Sequence, residues 1–364
     1  MLTPVPMRNS YLSLFFALAA LSLTAQQSPS PPARIIAPAQ TPAQAPSLTE
    51  DRDPVRSPDG DTSAYPALRK EGDGYVLRTD VEEVSLNCSV LDGNRMVPDL
   101  KKENFQVFED GVKQKLISFQ HTDLPVSIAL VVDNSGSMSR KRPSVNKSTL
   151  DLIAASNPRD EAFVVNFSDE AVIDQDFTSD VNKLRKGLSF IEARGGTALY
   201  DAVAASADEL ARDAKNPKQV IILITDGDDN ASTIDLEQTI RRVRELSGPV
   251  IYSIGLLFGD EDMSRDQVKN ARRALKMLSD ETGGMAFFPK NIEQVDQIAA
   301  EVARDIRNQY TLGYHSTKPT TEPGFRHVEV RAEGKGEGKL IVRTRTGYFP
   351  VPRVAKQAAA AEKK

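Results

Sequence analysis

Residues 126–139 read VSIALVVDNSGSMS. From Val126 to Val132 the run is apolar and rich in β-branched residues, as suits a strand buried on both faces. It stops on Asp133. Oxygen-bearing side chains then alternate at Asp133, Ser135 and Ser137, and Gly136 lets the backbone turn tightly between them. A turn there can aim three oxygens at one point. In open α/β sheets, ligands bind beyond the carboxyl ends of the strands, so the position of this turn matters as much as its composition.

The surrounding chain supplies such a sheet. Further apolar runs lie at 162–167, 220–224, 250–255 and, shorter, 284–288. Helical patterns fall near 145–156, 180–192, 199–214, 234–246, 265–282 and 292–308. Strand–helix alternation of this kind predicts an α/β domain over 123–308, Rossmann-like, with a doubly wound parallel sheet. Two more loops reach the same crevice. Gly195-Gly196-Thr197 opens a helix and presents a hydroxyl. Thr225-Asp226-Gly227 ends a buried run with an acid. Oxygen-only donors suit a hard cation, Mg²⁺ first, with Mn²⁺ or Ca²⁺ as alternatives.

Asp133-x-Ser135-x-Ser137, then Thr197, then Asp226, on three loops and in that order, resembles the metal-ion-dependent adhesion site of von Willebrand factor A domains. The resemblance covers residues 125–305. It implies that Ser135, Ser137 and Thr197 bind the ion directly, with Asp133 and Asp226 acting mostly through water. It further implies that the ion keeps most of its charge and accepts a carboxylate from a partner protein. The flanks, with Phe108-Glu-Asp-Gly111 and Asn308-Gln-Tyr-Thr-Leu-Gly-Tyr314, look like secreted bacterial VWFA-related proteins of the acidobacterial type.

The flanks read as β. Val84, Leu86, Cys88 and Val90 alternate with polar neighbours, and Asp92-Gly93-Asn94 marks a turn. Runs at 105–108 and 116–119 flank Glu109-Asp110-Gly111, which predicts a hairpin between them. Residues 310–314, 327–331 and 340–344 are the C-terminal candidates. The regions 73–122 and 309–350 together hold about 90 residues and about seven strands, the size of one immunoglobulin-like sandwich. The expectation is one sandwich built from both flanks, with the α/β domain inserted. Residues 1–25 carry Arg8, an apolar core at 11–23 and a small-residue site at Leu23-Thr24-Ala25, the marks of a secretory signal; a retained anchor is the alternative. A Pro/Ala-rich linker at 26–72 and a disordered tail at 351–364 complete the organisation. No transmembrane segment is expected in the mature chain. The single cysteine, Cys88, excludes an internal disulfide and reads as a core residue.

Other functions are disfavoured. The net charge is −5 and no basic block exists, so nucleic-acid binding has no footprint. The three histidines, His121, His315 and His327, lie outside the α/β region, and no Gly-x-Ser-x-Gly elbow is present, which argues against a serine hydrolase. Gly195-Gly196 lacks the Lys-Ser/Thr of a P-loop. Asp226 to Glu237 imitates a calcium loop, but Ala231 stands where such a loop needs glycine. The expectation is therefore a secreted, periplasmic or envelope protein, not an enzyme. It would bind a partner carrying an exposed Asp or Glu through a divalent cation. A metal-independent scaffold or an assembly factor is the alternative.

Overall fold

The computed structural model describes residues 34–35, 69–71, 74–76, 83–93, 95–154, 157–189, 193–246, 248–259, 263–334 and 340–350. The expected signal segment 1–25, most of the linker 26–72 and the tail 351–364 lie outside the described residues. So do Asn94 of the expected turn and the acidic stretch 260–262.

Within the expected linker, β1 (Arg34–Ile35) forms, and β2 (Arg69–Glu71) pairs with β3 (Gly74–Val76). Next come β4 (Glu83–Asp92), β5 (Arg95–Met96), β6 (Phe105–Glu109), β7 (Val112–Gln114) and β8 (Leu116–Gln120). The α/β domain follows. It comprises β9 (Val126–Asp133), α1 (Arg142–Ala154), β10 (Glu161–Phe167), β11 (Ala171–Thr178), α2 (Val181–Ser189), α3 (Leu199–Asp213), β12 (Lys218–Thr225), α4 (Leu236–Glu245), β13 (Val250–Gly255), α5 (Arg265–Thr282), β14 (Ala286–Phe287) and α6 (Gln294–Arg307). The chain ends with β15 (Tyr310–His315), β16 (Arg326–Ala332), β17 (Ile341–Arg343) and β18 (Gly347–Tyr348).

The main sheet has the order β1-β11-β10-β9-β12-β13-β14. Every residue of β9 is buried. The cause is the period-2 alternation of side chains in a strand covered on both sides. Ile128, Leu130 and Val132 enter one core, with Val145, Leu152, Leu184, Val302 and Ile306 from α1, α2 and α6. Ala129 and Val131 enter the other, with Leu199, Val203, Ile240, Val243, Leu275 and Leu278 from α3, α4 and α5. Each fully buried aliphatic side chain is worth about 1.5–3 kcal/mol. β9 pairs in parallel with both β10 and β12. The chain leaves β9 toward β10 and later crosses to β12 on the other side. The seam between β9 and β12 is therefore the topological switch point.

Local chemistry sets the helix ends. Ser264 caps α5 and accepts from the Gln267 backbone N–H, and Gly283 closes it in the left-handed conformation at φ 84°. A Cβ on Gly283 would also lie 2.6 Å from the Thr344 backbone, so glycine lets the C-terminal strands approach this helix. Among the described residues, no helix is long and apolar enough to cross a membrane.

Strands from the two flanks pair with each other. β15 pairs antiparallel with β4 and β8, β17 with β4, and β16 with β6. They form a sheet of order β17-β4-β15-β8, with β5 on β4, and a second of order β18-β16-β6-β7. Both contribute to one core, which holds Leu86, Cys88, Val107, Tyr310, Leu312 and Tyr348.

Three expectations need correction. The hairpin after β6 closes on β7, through Asp110 (φ 47°) and Gly111 (φ 79°), a two-residue turn whose positive φ angles match the twist of the strands. The run 116–119 instead enters the other sheet as β8, against β15. Strand β11, which lies between β1 and β10, was not expected: one of its faces is largely polar and half-exposed, so it lacks an apolar run. The expected strand at 284–288 shrinks to two residues in β14.

Candidate metal centre

Asp133 and Asp226 stand at the carboxyl ends of β9 and β12, on either side of the switch point. Both are buried, as are Ser135 and Thr197. Ser137 is exposed at the mouth. A 3₁₀ turn over Gly136–Arg140 folds the β9 loop back toward Asp226.

Hydrogen bonds join these groups. The Ser135 backbone N–H donates to Asp133 Oδ1 at 2.8 Å. Ser135 Oγ and Ser137 Oγ lie 3.1 Å apart. Ser137 Oγ donates to Asp226 Oδ1 at 2.8 Å. Below them, Thr225 Oγ1 donates to Asp133 Oδ2 at 2.5 Å. Burial pushes the Asp133 carboxyl up to about 6; the hydrogen bonds from Ser135 and Thr225 pull the other way, and the nearby Asp226 charge adds to the rise.

Thr197 arrives on the third loop. Its N–H donates to Asn230 Oδ1 at 2.9 Å, and its carbonyl accepts from the Asn230 N–H at 3.1 Å. Its hydroxyl lies 3.4 Å from where a Cβ on Gly227 would sit, which places it beside the Asp226 loop. The preceding glycines make this approach feasible. A Cβ on Gly195, where φ is 81°, would lie 2.3 Å from Asp169 Oδ2, and one on Gly196 would lie 2.7 Å from Asn230 Oδ1.

The structure thus links Asp133, Ser135, Ser137 and Asp226 directly and sets Thr197 alongside. Sequence reasoning missed three contributors. Thr225 was quoted only as part of a loop, yet it bridges the two strand ends. Asn230 clamps the Thr197 backbone. Lys141 Nζ lies 2.7 Å from Asp226 Oδ2, and its signal would have been a cation within one helical turn of the Ser-x-Ser run.

The donor set consists of hydroxyls and carboxylates, which fits a hard cation. No group of three or more His, Cys, Asp or Glu suited to a metal exists among the described residues; here most of the oxygens come from Ser and Thr. The histidines sit elsewhere: His121 stacks on Tyr310 and His327 meets Phe325 edge-on. Glu237 is exposed in the first turn of α4, which Asp235 caps, so the calcium-loop imitation does not close around an ion.

Oxygen-bearing side chains thus gather at the switch point of a doubly wound, Rossmann-like sheet. Residues 128–228 match the family model described as von Willebrand factor type A domain, and the chain carries a domain of that type. It is 27% identical over 264 residues to human inter-alpha-trypsin inhibitor heavy chain H4, covering 65% of this chain and 27% of that protein. It is 23% identical over 222 residues to an uncharacterized protein of Synechocystis, covering 58% and 52%. The chain therefore spans about a quarter and about half of the lengths of these two curated relatives. Among solved structures, it resembles a von Willebrand factor type A protein from Catenulispora acidiphila, with a TM-score of 0.45 and 12% identity, covering 75% of this chain and 74% of that one.

Proposed function

We propose that this protein is an exported binding or adhesion module that uses a divalent cation, Mg²⁺ in the first instance, to hold a carboxylate of a partner protein. The observation that carries the reading is the hydrogen-bonded line Ser135–Ser137–Asp226, with Asp133 beside it, at the switch point. Ser135, Ser137 and Thr197 would hold the ion, and Asp133 and Asp226 would balance its charge. Neutral hydroxyls leave the ion electron-poor, and a partly dry crevice strengthens its pull on an anion. The exported setting rests on the N-terminal signal pattern. The match to a type A domain supports a role in protein interaction.

The test is thermal melting with Mg²⁺ or Mn²⁺ against EDTA. An ion that binds only the native state raises the melting temperature. Asp133→Ala should abolish that rise. A parent protein indifferent to both ions, or an Asp133→Ala variant with an undiminished response, would refute the assigned site.

A metal-independent scaffold is the second reading. One observation favours it: Lys141 already compensates the Asp226 charge. Capture of envelope proteins on the purified chain, in magnesium and then in EDTA, separates the two. Proteins retained equally in both conditions point to the scaffold.

A further inference from the structure

The Asp226 carboxylate is paired with an ammonium group, that of Lys141, which the ligand pattern does not require. Lys141 follows the 3₁₀ turn directly, and its N–H donates to the Met138 carbonyl at 2.9 Å, so its backbone is fixed. Its Nζ donates to Asp226 Oδ2 at 2.7 Å and to the Leu256 carbonyl at 3.2 Å. It also stands 5.4 Å from the centre of the Phe258 ring, a favourable place for a cation. The Lys141 side chain is 11% exposed and that of Asp226 0%. Three segments therefore hold this charge: the end of β12, the loop after β13, and the turn that bears Lys141 itself. Both Asp226 oxygens are taken, Oδ1 by Ser137 and Oδ2 by Lys141.

We propose that Lys141 is a resident cation of the metal centre: it holds Asp226 in the ion-free protein and opposes the entry of a divalent ion. This rests on the cation-binding reading above. Asp133 and Asp226 together offer two negative charges, and Lys141 cancels one of them. Arg142 lies behind Asp133: it donates to the Asp133 carbonyl at 3.4 Å and to Asn166 Oδ1 at 2.6 Å, and its charge is shared between the carboxylates of Asp133 and Asp174. A divalent ion must then enter against a fixed positive charge on a buried ion pair, where such repulsion is less screened than at the surface. Once loaded, the centre carries a surplus of positive charge, which an incoming carboxylate neutralises. Lys141 so trades affinity for the ion against affinity for an anionic partner.

The experiment measures Mn²⁺ and Mg²⁺ binding by calorimetry for the parent chain and for Lys141→Met, Lys141→Gln and Lys141→Arg. The first two variants lose the charge and should bind about tenfold more tightly. Lys141→Arg keeps the charge and should stay close to the parent. Melting in EDTA checks the fold. Lys141→Met and Lys141→Gln should melt lower than the parent there and gain a larger rise on adding Mn²⁺. Tighter binding by these two variants, or binding by them alone, supports the proposal. Binding of equal strength in the parent and both neutral variants overturns it while leaving the cation reading intact. No binding by any of the four proteins overturns both.

Discussion

Thr225 Oγ1 donates to Asp133 Oδ2 at 2.5 Å and so ties the ends of β9 and β12 together at the floor of the site. The same hydroxyl accepts from the Gly227 N–H at 3.2 Å, which holds the loop after β12 in place. Thr225 is fully buried, so neither bond competes with bulk water. The arrangement fixes the Asp133 carboxylate in place.

Thr225→Val keeps the shape of the side chain and removes both bonds. It leaves a buried carboxylate oxygen and the Gly227 N–H without this partner, a loss of about 1–3 kcal/mol. Urea unfolding should show a lower midpoint with an unchanged slope. The melting-temperature rise with Mg²⁺ should also shrink, because the Asp226 loop is no longer held. A variant as stable as the parent would show that Thr225 is dispensable.

Asp133 itself should cost stability in the ion-free protein. Burial, only partly offset by hydrogen bonds, raises its carboxyl from 3.8 to about 6. The sign follows from proton counting. Below 3.8, folded and unfolded states are both protonated, and no penalty exists. Between 3.8 and about 6 the folded state binds the proton more tightly, so stability falls as pH rises. Above about 6 the penalty is complete, at most about 3 kcal/mol. Asp133→Asn should therefore melt higher than the parent in EDTA at neutral pH and level with it near pH 4. A difference that does not change with pH would contradict this account.

Glu109 locks the sandwich. Its carboxylate is buried and accepts from Tyr314 Oη at 2.7 Å, Tyr348 Oη at 2.9 Å and Ser316 Oγ at 2.5 Å, with Arg326 Nη1 at 3.6 Å. The acceptor comes from the N-terminal flank and all four partners from the C-terminal flank. Glu109→Ala would leave a buried guanidinium and two phenols around an empty place, a loss of about 3–5 kcal/mol. Glu109→Gln keeps the acceptor oxygen and should lose less. Denaturant unfolding of both variants checks the order; equal losses would mean that the retained amide oxygen contributes nothing and that the charge of Glu109 accounts for the whole effect.

Much of the α/β domain was legible because its strands are buried on both faces. Such strands must be apolar throughout, and β9, β10, β12 and β13 announce themselves. α5 was readable end to end because Ser264 and Gly283 cap it with ordinary chemistry. Strands away from the doubly covered centre of the sheet were not legible. β11 needs only one apolar face, so Asp174 and Asp176 interrupt the run. The partner of β6 was misread because a short polar strand, β7, intervenes before the more apolar β8. In the site, the five oxygen-bearing residues follow a spacing that can be read. Lys141 offers only its closeness to the Ser-x-Ser run; that it meets Asp226, 85 positions away, is not written in any spacing. Contacts of that kind depend on the closure of the sheet rather than on any local pattern.

Cys88 offers a last test, of the sandwich core rather than the site. Its side chain has no solvent exposure, lies in β4 opposite Tyr310 in β15, and packs in the shared core. Burial pushes the thiol up to about 12, despite nearby Thr344 and Arg345, which favour the thiolate. At pH 8 only about one molecule in ten thousand would carry the reactive thiolate even if reagent could reach it. Alkylation by iodoacetamide should therefore be negligible in the native protein and complete in urea. Its slow native rate should track global unfolding, so Glu109→Ala should raise it steeply, whereas Lys141→Met, at a residue whose hydrogen bonds and ion pair touch no residue of the sandwich core, should leave it much less changed. Rapid native labelling would mean that β4 and β15 part readily, and that the two flanks do not form one cooperative core.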